Sequence, residues 1–205
     1  EFDQSRERHR FHVHKDFGLV NDVYSDGRIL KDTLRGGSAI GHNRYSTAGA
    51  ANNRANVQPF TVLYKSGNLA IGHNGNLTNF REIRQRLQDS GTIFQTTSDT
   101  EVILHLIARS PKKDQLEQIR DAIAQVKGAF SLVILTDTAL IAARDHHGFR
   151  PLAIGKKDGA FVVASETVAF DIIDADYVRD VEPGEIVVID DAALAAGTPR
   201  SIRID

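Results

Sequence analysis

The order in which hydrophobic patterns change along the 205 residues predicts an α+β fold built on antiparallel sheets. Three observations carry that expectation. Strand signals that end in a hairpin come first, three helical stretches follow, and after Gly128 the pattern turns to successive short strands. No steady alternation of strand and helix occurs, which argues against parallel βαβ units.

Each element has its own signal. Glu1–Arg10 is polar and charge-dense, without periodicity, and reads as the end of a loop. Phe11-His12-Val13-His14 alternates, predicting a strand with Phe11 and Val13 inward. A short helix is expected around Gly27–Leu34, and a short buried strand at Ser38–His42. Ala50–Pro59, rich in asparagine and alanine, reads as a loop able to act as a lid. Phe60–Tyr64 and Asn68–Gly72 flank Ser66-Gly67-Asn68, a hairpin signal. Asn79 with Glu82 reads as a cap for a helix through Leu87, and Ser98-Asp99-Thr100-Glu101 as a capping box for Val102–Ala108. Leu116, Ile119, Ile123 and Val126 share one face of a third helix. Strands are expected at Ala129–Thr136, Leu140–Arg144, Leu152–Gly155, Ala160–Ala164 and Glu185–Ile189.

Composition narrows the class. Hydrophobic residues at 41% and charged residues at 25% are ordinary for a globular domain with a sizeable core. A formal charge of −2 supplies no field for nucleic acid or an anionic membrane, and no apolar run approaches membrane-helix length. The chain holds no cysteine, which removes disulfides and thiolate metal sites, and no methionine. A cytoplasmic location is the default expectation. Without an initiator of its own, the sequence is expected to be part of a longer protein.

Few residues carry chemistry. Asn74-Gly75, in Gly72-His73-Asn74-Gly75-Asn76, is expected in a tight turn between strand and helix, where a side-chain amide beside an unobstructed glycine N–H makes a two-donor site for a developing oxyanion. Taken alone, Asn-Gly is a common turn dipeptide. Arg44 follows a short apolar segment, and its guanidinium fork suits a carboxylate; alone, it would be a solvated charge. Asp99 can bind an ammonium, yet a first-turn carboxylate is favoured by the helix dipole whatever its function. His12 and His14 lack a third ligand at supporting spacing, and the adjacent His146-His147 pair reads as structural, so no metal site is expected.

Together these segments resemble the N-terminal-nucleophile glutaminase domain of class II amidotransferases. The resemblance rests on Gly41–Gly49, His73–Asn76 and Thr96–Glu101. Ala143–Leu152, Ala164–Asp171 and Val181–Glu185 narrow it to the amidophosphoribosyltransferase family. It implies a four-layer αββα sandwich, two antiparallel sheets between helices. It also implies that Arg44 clamps the glutamine α-carboxylate with Thr47 nearby, and that Asp99 holds the α-ammonium. Asn74 and the Gly75 N–H would form the oxyanion hole, and Arg144–Leu152 would face a phosphoribosyltransferase domain.

The departures from that family define further expectations. Its N-terminal cysteine nucleophile is absent, as is the phosphoribosyltransferase half with its Mg²⁺ site. Residues 1–205 are therefore expected to be a glutaminase domain lacking its nucleophile strand, inactive alone, from a homo-oligomeric parent. Two alternatives are a non-catalytic glutamine-binding or interaction module and the glutaminase domain of another class II amidotransferase. A replacement nucleophile at Ser5 is disfavoured, because Ser5 lies in the polar opening.

Overall fold

A computed structural model describes residues 11–44 and 53–205. Thr47, Ser5 and the first residues of the expected lid lie outside the described residues. The elements run α1 (Val20–Val23), a π-type turn (Ile29–Thr33), a 3₁₀ turn (Arg54–Asn56), β1 (Phe60–Tyr64) and β2 (Gly67–Leu77). Three helices follow: α2 (Phe80–Asp89), α3 (Thr100–Arg109) and α4 (Gln115–Ile123). Then come β3 (Gly128–Thr136), β4 (Ala139–Arg144), β5 (Ala153–Lys157), β6 (Ala160–Ala164) and α5 (Val168–Ile173). The chain closes with β7 (Asp176–Asp180), β8 (Glu185–Asp190), α6 (Asp191–Ala196) and β9 (Arg200–Arg203).

All described strand pairs are antiparallel. One sheet has the order β1-β2-β3-β4-β8-β9, and a second the order β6-β5-β7. Strand alternation sorts the six-stranded sheet into two apolar faces. Leu69, Ile71, Leu132, Ile134, Ile141 and Ile186 belong to one buried cluster with Ile83, Ile103 and Ile119 of the helices α2, α3 and α4. Ala142, Val187 and Ile189, from the opposite face, pack with Leu152 and Ile154 beside the second sheet. Gly155 faces away from Ile154, and a Cβ there would meet the Phe170 ring of α5 at 2.9 Å. The layers are therefore helices, large sheet, small sheet and α5, as the family resemblance implies.

Several expectations need correction. Phe11–His14 forms no strand, and Val13 is 41% exposed. Alternation assigns sides to residues but cannot supply a neighbouring strand, and none of the described strands pairs there. Ser38–His42 is likewise neither strand nor buried. The helix after Asn79 is present, but its cap is not: the Asn79 side chain accepts from Lys127 N–H at 2.9 Å and donates to Gln125 O at 3.0 Å. Glu101 also declines its reciprocal cap. It reaches back to the Gln95 and Thr96 N–H groups, at 2.7 and 2.8 Å, and to the Thr96 hydroxyl at 2.7 Å. The strands β7 and β9 and the helices α5 and α6 had no counterpart in the sequence reading.

Candidate active site

Asn74-Gly75 is not a turn. Strand β2 runs through it to Leu77, with Asn74 opposite Ser131 and Gly75 opposite Phe130 of β3. The two strands pinch together there. Gly75 has φ +151° and Gly128 φ +139°, and a Cβ on either would run into a main-chain oxygen, of Ala129 or Asn76 respectively. Only glycine suits such a backbone and such an approach. Glycine is required here not to make a turn but to let two strands touch.

The pairing also decides where the Gly75 N–H points. In an antiparallel ladder, both backbone groups of a residue face the same neighbour. Phe130 turns both of its groups towards Asp145: its N–H donates to Asp145 Oδ2 at 3.2 Å, and its carbonyl accepts from Asp145 N–H at 2.9 Å. Gly75, facing Phe130, is thus in a non-hydrogen-bonded pair, and its N–H lies on the outer edge of β2. His73 and Leu77 share that edge, because the side of the ladder repeats every second residue. Strand β1 stops covering it at the Phe60–Ile71 pair.

Side chains cover the flanking N–H groups instead. Gln58 Oε1 accepts from His73 N–H at 2.7 Å, and Asp99 Oδ2 accepts from Leu77 N–H at 2.9 Å. The Gly75 N–H sits between them, beside the exposed Asn74 side chain. That edge is a short donor row with its centre left for something else.

Asp99 sits at the start of α3, but its side chain does not cap the helix. While Oδ2 is held by Leu77, Oδ1 lies 3.6 Å from His73 Nδ1 and 3.4 Å from the Thr100 hydroxyl. Burial acts to raise its carboxyl pKa. Hydrogen bonding and charge from His73, with the backbone N–H groups of Leu77 and Thr100, outweigh that and hold it below the ordinary value. It is a carboxylate near neutral pH, and its Oδ1 is not the oxygen that holds Leu77.

Behind these groups lies a buried polar cluster that sequence reasoning missed. His73 Nδ1 is 3.0 Å from Thr100 Oγ1, which also meets the Ser98 hydroxyl at 3.2 Å and Gln58 Nε2 at 3.4 Å. His73 Nε2 is buried without a hydrogen-bond partner among the described residues. His42 packs over Gly72, its Nδ1 3.8 Å from where a Cβ would stand. Burial first, then the nearby charges of His73 and Arg44, push the His42 pKa down, so it is neutral near pH 7. Arg44 is exposed two residues further on. A polar residue before a proline, or a histidine inside a strand, gives no periodic signal, which is why Gln58 drew no reading and His73 was given no role of its own within its motif.

The loop after β4 is rigidly built. Asp145 is fully buried, and it accepts the N–H groups of Phe130, His147, Phe149 and Arg150 at 3.0–3.3 Å. The Arg144 guanidinium donates to the carbonyls of Gly148, Arg150 and Val181 at 2.7–2.8 Å. The tip of that loop carries Phe149, 69% exposed.

Comparison with known proteins identifies the family of the chain. A family model described as a glutamine amidotransferase domain matches residues 42–171. The chloroplastic amidophosphoribosyltransferase of Vigna aconitifolia is 51% identical over 185 residues, an alignment covering 90% of this chain and 37% of that protein. The Bacillus subtilis amidophosphoribosyltransferase is 47% identical, with 89% and 38% covered. A solved structure of glutamine phosphoribosylpyrophosphate amidotransferase from B. subtilis, complexed with ADP and GMP, superposes with a TM-score of 0.82 at 42% identity. A second, described as the allosteric regulatory enzyme of purine biosynthesis, gives 0.84 at 43% identity; each covers 92% of this chain and 39% of the other. The chain thus spans well under half the length of these relatives.

Proposed function

Starting from a chain that belongs to the glutamine amidotransferase family, we propose that residues 1–205 are the glutamine-handling domain of an amidophosphoribosyltransferase. The donor row carries this reading: one N–H without a partner among the described residues, at Gly75, stands between two covered ones, next in sequence to Asn74 and near the Asp99 carboxylate. An amide side chain beside such an N–H suits an oxyanion, and a partly buried carboxylate nearby suits an ammonium.

In this reading Arg44 takes the glutamine α-carboxylate in two parallel hydrogen bonds, with Thr47 beside it. Asp99 Oδ1 takes the α-ammonium, since Oδ2 is occupied by Leu77. The side-chain carbonyl of glutamine then lies against Asn74 and Gly75. A cysteine outside these residues, its thiol proton taken by its own α-amine, attacks that carbonyl; the amine returns the proton to the nitrogen so that ammonia leaves, and water releases glutamate and the thiol from the thioester. The donors contribute most when charge gathers on the oxygen, so Asn74 acts chiefly on kcat.

The ammonia is then consumed by displacing pyrophosphate from phosphoribosyl pyrophosphate, giving phosphoribosylamine, in a Mg²⁺-dependent domain of the same parent chain. The rigid Arg144–Leu152 loop, with exposed Phe149, would face that domain. A homo-oligomeric parent in the cytoplasm completes the reading; fractionation of cells decides between cytoplasm and the plastid named for the plant relatives.

Calorimetric titration of L-glutamine into the chain tests the proposal. Saturable binding is expected, weakened about ten- to a hundredfold in Arg44→Lys and Asp99→Asn, since each loses a charge-assisted contact. No binding, or binding indifferent to both substitutions, would overturn it.

A further inference from the structure

We propose that Gln58 is a positioning residue of the glutamine site, acting as a one-residue substitute for a strand at the open edge of β2. The inference rests on the function proposed above.

The register shows what Gln58 replaces. Phe60 pairs with Ile71, Thr61 with Ala70 and Val62 with Leu69, so continuing the ladder would set Gln58 opposite His73. The ladder stops instead at Phe60, and no backbone group of Gln58 is paired with His73 in it. A side-chain amide has the same donor and acceptor as a peptide group. Gln58 uses its own to do the missing work: Oε1 accepts from His73 N–H at 2.7 Å, while Nε2 donates to Thr100 Oγ1 at 3.4 Å. The residue is 6% exposed, so these bonds have little competition from water.

A second amide on the same segment does a related job. Asn56 Nδ2 donates to Thr97 Oγ1 at 2.8 Å, and Asn56 Oδ1 accepts from Thr97 N–H at 3.1 Å. Residues 53–59 are thereby tied to both sides of Asp99: to Thr97 before it through Asn56, and to Thr100 after it through Gln58. Lys15 holds the back of the segment, its ammonium donating to the carbonyls of Val57 and Pro59 at 3.1 and 3.2 Å.

The consequence is geometric. Glutamine would bridge the Gly75 N–H and Asp99 Oδ1, so its fit depends on the spacing between the β2 edge and the start of α3. Leu77–Asp99 sets that spacing at one end of the donor row, and Gln58 sets it at the other. Removing Gln58 leaves the His73 N–H uncovered and frees Thr100 to shift, with Asp99 attached to it. Substrate binding should fall although Gln58 touches no substrate.

The test compares Gln58→Met, which keeps the volume and removes both polar groups, with Gln58→Glu, which keeps an acceptor for the His73 N–H. Amide hydrogen exchange is read at His73 and, as a distant control, at Val187 in β8; L-glutamine affinity is read by calorimetry. In Gln58→Met the His73 amide should exchange about tenfold faster and glutamine should bind about tenfold more weakly, the loss expected for one buried hydrogen bond. Val187 should be unchanged. Gln58→Glu should recover the His73 protection but not the affinity, because a carboxylate cannot donate to Thr100 Oγ1. Faster His73 exchange with glutamine affinity as in the wild type would make Gln58 a structural brace only and overturn the inference, leaving the proposed function intact. Wild-type chain that binds no glutamine would overturn both.

Discussion

Gly75 and Asp99 show how much of the site depends on single atoms. Gly75 cannot gain a Cβ, because its backbone has positive φ and the Ala129 carbonyl occupies the space. Gly75→Ala should therefore cost on the order of 1–3 kcal/mol from backbone strain, with steric overlap in addition. Urea unfolding measures it; a change within a few tenths of a kcal/mol would mean that the strands do not pinch there. Asp99 makes a different prediction. Its folded pKa is depressed, so the stability it contributes is complete above its ordinary value of 3.8 and is lost as pH falls through the lower folded value. The stability difference between wild type and Asp99→Asn should be largest near neutral pH and shrink below 3.8. A difference constant across that range would show that the carboxylate charge is not what holds Leu77 and His73.

Among the elements, the helices were the most legible. Ile83 and Leu87 on α2, and Ile119 with Ile123 on α4, are buried pairs four residues apart, and that spacing is written in the sequence. The hairpin at Ser66-Gly67-Asn68 was equally plain. What escaped was anything set by a partner far away in sequence. Asn74-Gly75 looks like a turn until Ser131 and Phe130 are known to lie opposite, and Glu101 looks like a cap until the 95–96 backbone is found against it. The roles proposed for Arg44, Asn74 and Asp99 come from residue type and family motif; Gln58 drew no reading of its own, and His73 was read only as part of the Gly72–Asn76 motif, without its contacts to Thr100 and Asp99. The Glu101 contact yields a prediction for α3. Glutamine at that position would turn an NH₂ towards one of three donors, costing about 1.5–3 kcal/mol and loosening the segment that leads to Asp99. Hydrogen exchange at Gln95 and Thr96 should rise in Glu101→Gln; unchanged protection there would rule the contact out as the anchor of that segment.

At the scale of the whole molecule, the two sheets are joined by more than apolar packing. Arg179 of β7 in the small sheet makes two hydrogen bonds of 2.8 Å with Glu185 of β8 in the large one, and Glu182 N–H adds a third at 2.7 Å. Burial acts to raise the Glu185 carboxyl, but these partners, Arg179 foremost, hold it below its ordinary value of 4.5. A planar guanidinium fork fixes both distance and angle between the sheets, which the alanine, valine and leucine contacts beside it cannot do. Removing the arginine alone would leave a carboxylate buried without its countercharge. Arg179→Met should therefore destabilise the chain by about 1–3 kcal/mol. That is less than the roughly 3–5 expected for a fully buried pair, because the Arg179 side chain is 36% exposed to screening solvent. Glu185→Gln paired with Arg179→Met should recover part of that loss, since no buried charge remains. The donor row proposed for glutamine lies on β2, away from this clamp, so glutamine affinity measured well below the unfolding temperature should be unchanged. Loss of glutamine binding in Arg179→Met, with the chain still folded, would instead mean that the angle between the sheets sets the geometry of the site.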